Sequence, residues 1–348
     1  MKFNEDTRVK IPAILHCMRL GYEYISLKNQ NYNISESTNI FTEIFLSSIQ
    51  KINPGLSISE ARQALDEISL VLENEDLGRA FYKKLINKSG VRLIDYENFD
   101  QNTFQVVTEL TYKNGEDEFR PDITLLVNGM PLIFIEVKKP NNRDGVIAEH
   151  KRIQSRFNNK KFRNFANITQ LMIFSNNMEY DDSSPHPVEG AFYASSSYNK
   201  TKFNYFREEL ELNLNTMLLP ISENDELSVL RDNNLISIKN SPEFEKNKTP
   251  DTPTNRICTS LLSRERLAFI LEFAFAYVEE EGLQKHIMRY PQFFASKAIT
   301  KKLDRGVKKG IIWHTQGSGK TALAFYNVRY LSNYFQKKRP DCKVLFHC

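Results

Sequence analysis

Residues 120–140 read RPDITLLVNGMPLIFIEVKKP, two apolar runs joined by Asn128-Gly129. That dipeptide suits a two-residue hairpin because both of its positions tolerate a positive φ. Runs as uniformly apolar as ITLLV and LIFIEVK are those of central strands covered on both faces. Set into them are three ionisable residues: Asp122 heads the first, while Glu136 and Lys138, two apart on the second, emerge on one face. A carboxylate placed beside Phe134 and Ile135 is costly unless it is paired or binds a metal. Two carboxylates with water and phosphate oxygens form the hard oxygen environment that Mg2+ prefers. A lysine next to them can orient a water or stabilise charge on a scissile phosphate, so the chemistry implied is metal-assisted phosphodiester hydrolysis. A plainer reading makes Glu136 and Lys138 an edge-strand charge pair and Asp122 a turn residue after Pro121; the PD…ExK spacing alone leaves both open.

Strand parity constrains the choice. A two-residue turn pairs Val127 with Met130 and hence Asp122 with Ile135, which puts Glu136 and Lys138 on the face opposite Asp122. A shared site requires a three-residue loop in place of that turn, or a bulge near Pro121 or Pro131 that restores the parity.

Upstream of this hairpin, residues 5–25 and 36–86 have helical periodicity, including Ser59–Leu72, where Ser59 followed by Arg62 lacks a full capping box. VRLIDY and FQVVTELTY read as further strands of a meander. Downstream, residues 149–165 read as a helix and QLMIFSN as one more buried strand. NSPEFEKNKTPDTPTN, at 240–255, has three prolines and few apolar residues and reads as a linker. Residues 260–281 read as one long helix, and GIIWHTQGSGKTALAFYNVRYL as strand, loop and helix. The expected organisation is a domain over 1–245, a linker at 246–256 and a second, incomplete domain over 257–348.

The 348 residues, 41% apolar and 26% charged with 24 Phe and 15 Tyr, belong to a folded chain and exclude a disordered one. Cys17, Cys258, Cys342 and Cys348 have no metal-ligand spacing, so reduced thiols, no zinc and a cytoplasmic protein are expected. The N-terminus lacks a signal-peptide core, and the greasiest stretch, from Leu267 to Val278, is broken by Glu272. Net charge is +4, yet between Lys138 and Arg163 nine basic residues face only Asp144 and Glu149. Such a stretch suits contact with the phosphates of double-stranded DNA, although a solvated helix face has the same composition.

Residues 90–140 resemble the nuclease domain of the restriction (HsdR) subunits of type I restriction–modification enzymes, in which RPDI…VNG.PL…E.K is a signature; the likeness extends to GYEYIS and QLMIFSNNMEY. The resemblance implies a PD-(D/E)xK nuclease-like α/β fold, a mixed sheet flanked by helices, and makes Asp122, Glu136 and Lys138 the catalytic acid, acid and lysine. It implies a Mg2+- and ATP-dependent endonuclease working with methyltransferase and specificity subunits. The family also carries a glutamine and an aromatic residue on the next helix. Gln154 is the candidate here, with Phe157 for the usual tyrosine and a spacing one residue short.

HTQGSGKT, residues 314–321, resembles motif I of superfamily 2 helicases and translocases, with His314 where the strict pattern has glycine. Gly317, Ser318 and Gly319 would let backbone amides approach phosphates, Lys320 reach the β/γ-phosphates of ATP and Thr321 ligate magnesium. RYPQFFA resembles the segment before motif I and offers Gln292 to adenine. The resemblance therefore adds the start of a RecA-like domain. Only 28 residues follow Lys320, too few for a Walker B acid, so an N-terminal portion with a half-built ATP site is expected. Two other functions compete: a non-catalytic DNA-binding or docking module of a helicase-like motor, and a plain P-loop ATPase.

Overall fold

A computed structural model describes residues 4–28, 31–140, 145–181, 189–198, 201–279 and 282–338, except 314, 316 and 318, together with 341. The first helical region divides. Helix α1 (Ile11–Arg19) is buried from Ile11 to Cys17, and GYEYIS becomes β1 (Glu23–Ile25) rather than helix. The second region is three helices: α2 (Thr42–Ile52), α3 (Ile58–Leu72) and α4 (Arg79–Leu85). A capping box does start α3, two residues before the serine first considered. The Ser57 hydroxyl accepts the Glu60 N–H at 3.2 Å and the Glu60 carboxylate accepts the Ser57 N–H at 2.8 Å, a device that stabilises a helix end by about 1 kcal/mol.

VRLIDY forms no strand; β2 (Phe104–Thr108) pairs in parallel with β1, and a left-handed Glu109, φ 53°, ends it. A small hairpin of β3 (Tyr112–Asn114) and β4 (Asp117–Phe119) follows, then β5 (Ile123–Val127) and β6 (Met130–Val137). Helices α5 (Gly145–Asn158) and α6 (Arg163–Ile168) cross over to β7 (Leu171–Ser175), which is parallel to β6. Strands β8 (Ala191–Ala194) and β9 (Asn204–Tyr205) complete a seven-stranded mixed sheet in the order β1-β2-β5-β6-β7-β8-β9. On one face Ile123, Leu125, Ile133, Ile135 and Ile173 join the main core. On the other, Phe134, Met172 and Phe174 pack with Ile153 and Phe157 of α5 and Phe165 of α6. That second face is the one to which Glu136 belongs, since it shares its parity with Phe134.

After α7 (Leu214–Met217) and α8 (Glu223–Asp232), the expected linker is instead folded. Two of its prolines start helices, Pro242 in α9 (Pro242–Asn247) and Pro253 in α10 (Pro253–Leu262), where a missing N–H costs nothing. Asn255 is fully buried and donates to the carbonyls of Asn247 and Thr249. The anticipated long helix breaks at the extended Ser263 into α10 and α11 (Arg264–Phe273), and its aromatic end becomes β10 (Phe275–Glu279), paired with β11 (Leu283–Ile287). Ile257, Leu261 and Phe293 share one apolar cluster with Ile11 and Ile14, so no gap in packing falls near residue 250. Helices α12 (Tyr290–Asp304) and α13 (Lys320–Lys338) follow. GIIW is not a strand: Ile311 and Trp313 are 92% and 91% exposed, and among the described residues no strand pairs with it. The anticipated KVLF strand lies outside the described residues. Cys17 and Cys258 are buried free thiols. Among the described residues no helix is long and apolar enough to cross a membrane.

Candidate active site

The turn and the bulge coexist. Asn128 and Gly129 have φ of 51° and 75°, both positive as a two-residue hairpin of this type demands. Asn128 is fully buried, and its side chain donates to the Leu93 carbonyl and to Asn102 Oδ1 at 2.8 Å while accepting the Thr103 N–H at 2.8 Å. Gly129 is required twice over, because a Cβ there would stand 2.7 Å from the Phe45 nitrogen and 2.8 Å from the Phe41 carbonyl. Val127 pairs with Met130 and Leu126 with Pro131, but Leu125 pairs with Ile133, leaving Leu132 as the extra residue of a bulge. Met130 and Leu132 therefore share the core face with Ile133, Ile135 and Val137. The shift of one residue brings the Asp122 end of β5 opposite Glu136.

Asp122, Glu136 and Lys138 converge as expected. Asp122 Oδ2 accepts the Val137 N–H at 2.9 Å. Lys138 Nζ donates to the Val137 carbonyl at 2.8 Å and lies 3.5 Å from Glu136 Oε1 and 3.9 Å from Asp122 Oδ2. Two further carboxylates, absent from the sequence-based site, join them: Glu149 Oε2 at 3.6 Å and Glu5 Oε1 at 4.0 Å from Lys138 Nζ. Glu149 was countable only as a charge within a basic stretch. Its signal is the spacing to Arg152 and Arg156, which lie on its own face of α5 and reach it at 2.9 and 3.7 Å.

Electrostatically the centre is short of positive charge. Burial, then the neighbouring Asp122 and Glu149, push the Glu136 carboxyl up to about 8. Burial also raises Asp122, against the opposing Val137 N–H and Lys138. For Lys138 burial acts downward, but the carboxylates of Glu136, Asp122, Glu149 and Glu5 outweigh it and raise the ammonium. Glu136 Oε2 is buried without a hydrogen-bond partner. A buried oxygen with no donor, in a cluster whose acids resist ionisation, fits a hard divalent cation. Among the described residues no group of three or more acidic, His or Cys side chains is arranged as a metal cage; Asp122 and Glu136 are the pair that the sequence put forward for a metal.

Gln154 is not brought into this cluster. It lies about 140° around α5 from Glu149 and is spent on backbone, donating to the Tyr198 carbonyl at 3.1 Å and accepting the Thr201 N–H at 2.8 Å. Much of the basic stretch is ion-paired. Lys160 and Arg163 pair with Glu75, Lys161 with Asp117, and Arg152 and Arg156 with Glu149. These partners are remote in sequence or were hidden in the charge count. Arg143 lies outside the described residues.

In the second candidate site, Gly317 and Gly319 have φ of 76° and 83°. Gln292 touches the loop itself, donating to the Gly319 carbonyl at 3.1 Å while accepting the Arg289 N–H at 2.8 Å. A Cβ on Gly319 would meet Gln292 Nε2 at 2.4 Å. Lys320, first residue of α13, donates to the Thr315 carbonyl at 3.1 Å, and Thr321 is exposed beside it. His314, Gln316 and Ser318 lie outside the described residues.

Residues 2–181, just over half of the chain, match the family described as type I restriction enzyme R protein N terminus, and residues 291–347 match the SWI2/SNF2 ATPase family. Similar proteins include two from Methanocaldococcus jannaschii, provisionally named as the type I restriction enzyme MjaIXP and MjaVIIP endonuclease subunits. They are 26% and 28% identical over 93% and 73% of this chain, and 31% and 20% of their own length. The type I restriction enzyme HindI endonuclease subunit of Haemophilus influenzae is 25% identical over 88% of this chain and 27% of its own. The chain thus spans less than a third of the length of these relatives.

Proposed function

Because the chain belongs to the type I restriction enzyme R protein N-terminal family, we propose that it is the DNA-cleaving part of a restriction subunit, acting by divalent-metal-dependent phosphodiester hydrolysis in a PD-(D/E)xK nuclease fold. The observation that carries this reading is the convergence of Asp122, Glu136 and Lys138, made possible by the bulge at Leu132. Asp122 and Glu136 would hold Mg2+, which when bound supplies a more acidic water and neutralises charge on the phosphate. Lys138 places its ammonium where the attacking water and the scissile phosphate must meet, and stabilises the negative charge that accumulates there. The Val137 N–H holds the Asp122 carboxylate, and Ile153 and Phe157 of α5 pack on the sheet face to which Glu136 belongs.

The SWI2/SNF2 match supports ATP binding at Lys320 and Thr321, with ATP-driven translocation belonging to the complete subunit. Double-stranded DNA and the methyltransferase and specificity subunits are the partners this reading implies. The test is Mg2+-dependent cleavage of plasmid DNA by the assembled enzyme, with Glu136→Gln as the control. Loss of cleavage in that variant is the expected result, and full cleavage by it overturns the assignment. DNA binding by wild-type protein with no metal-dependent cleavage would favour the docking-module reading.

A further inference from the structure

Glu149 has no role in the hydrolytic reading above, on which the following rests. Its carboxylate is 1% exposed, and neither oxygen is in hydrogen-bonding geometry with a donor. It is flanked on α5 by the guanidinium groups of Arg152 at 2.9 Å and Arg156 at 3.7 Å, and across the site by Lys138 Nζ at 3.6 Å. Arg156 is itself held over the Phe119 ring, 4.7 Å from its centroid. The carboxylate is therefore held by its helix and by two arginines, one of them stacked on Phe119.

Consider what surrounds Lys138 when Asp122 and Glu136 are engaged by a divalent cation. In the metal-free cluster the ammonium lies 3.9 Å from Asp122 and 3.5 Å from Glu136. A divalent cation held by those two acids would draw on their negative charge and repel the ammonium, with little solvent to screen it. Two carboxylates remain to hold it. Glu5, 31% exposed and 4.0 Å away, is partly screened by water and is also committed to the Lys139 N–H. Glu149 is closer and fully enclosed. We propose that Glu149 is a positioning residue: it anchors the Lys138 ammonium beside the metal-loaded Asp122–Glu136 pair and keeps it facing the scissile phosphate. Glu149 touches neither metal nor substrate in this role; it acts through Lys138.

The experiment compares Glu149→Gln with wild type in the complete, assembled enzyme, measuring kcat and KM for plasmid cleavage and, separately, Mn2+ affinity by calorimetry on metal-free protein. The expected result is a fall in kcat of about tenfold to a hundredfold, the usual cost of losing a residue that orients a catalytic group. KM for DNA and Mn2+ affinity should stay close to the wild-type values, since Glu149 touches neither ligand in this role. Glu149→Asp, which keeps the charge, should recover a substantial part of the rate and serves if the glutamine variant folds poorly. An unchanged kcat in Glu149→Gln overturns the inference. So does a parallel collapse of Mn2+ affinity, which would make Glu149 a metal ligand. Glu136→Gln run alongside separates the two levels: if it cleaves normally the hydrolytic reading itself fails, whereas an inert Glu136→Gln with a fully active Glu149→Gln removes only the role given to Glu149.

Discussion

Asp122 accepts the backbone N–H of Val137 at 2.9 Å, which ties the head of β5 to the strand midway between Glu136 and Lys138. This bond depends on a residue several positions away. Were Leu132 not extruded as a bulge, Asp122 would face Ile135 and its carboxylate would sit on the wrong side of the sheet. The carbonyl of Leu132 is not left unpaired; it accepts the Gln170 N–H at 2.7 Å at the start of β7, so the bulge is held by the next strand rather than by its own hairpin.

The three central residues should separate by phenotype. Asp122→Ala or Glu136→Ala should abolish cleavage and lower Mn2+ affinity by at least tenfold, since one of two carboxylate ligands is lost. Lys138→Ala should abolish cleavage while Mn2+ still binds. Calorimetry paired with a plasmid assay reads both, and equal metal loss in all three variants would contradict the division of roles.

Metal-free stability should depend on pH through Glu136. Its folded-state value of about 8 lies above the ordinary value of 4.5, so between those limits the folded chain retains a proton that the unfolded chain has released. Stability is therefore fully present below about pH 4.5 and is lost as pH rises toward 8, by up to about 1.4 kcal/mol per pH unit. Glu136→Gln cannot ionise and should show a flatter profile, with a Tm a few degrees above wild type at pH 8 in chelator. Thermal unfolding from pH 5 to 8 checks this; identical slopes would contradict it.

Lys285 should act with the opposite sign. It is buried on β11, donating to the Thr169 carbonyl at 3.1 Å, to Gln170 Oε1 at 3.0 Å and to Ser196 Oγ at 3.4 Å, and burial lowers its ammonium to about 7. Above pH 7 and below the unfolded lysine value, the unfolded chain holds the extra proton, so this group adds stability as pH rises through that window. Lys285→Met should remove the rise. Chemical denaturation at pH 7, 8 and 9 distinguishes the two chains.

Gly129→Ala should destabilise the chain by about 3 kcal/mol or more, because a positive φ and a backbone clash with α2 coincide at one position. Gly115→Ala, also at positive φ but in open space, should cost only about 1 kcal/mol. Comparable losses at the two sites, measured by denaturant titration, would mean that the contact with Phe41 and Phe45 is dispensable.

Local chemistry was enough to specify the hairpin and the residues at its ends, because each rests on neighbours in sequence: Asn128-Gly129 for the turn and alternation for the shared face of Glu136 and Lys138. Parity was legible only as a requirement; that Leu132 rather than a longer loop meets it follows from α2 packing on Gly129 and from β7 pairing, both set by distant segments. Composition misled where prolines suggested a tether, since a proline that starts a helix and one that interrupts a chain look alike until Asn255 has carbonyls to cap. The ion pairs of Lys160, Lys161 and Arg163, the turning of Gln154 toward the backbone of Tyr198 and of Thr201, and the approach of Glu149 to Lys138 are contacts made across the fold. They were decided by tertiary structure alone, because Coulomb attraction and hydrogen bonding act on distance in space, and separation along the chain does not reveal it.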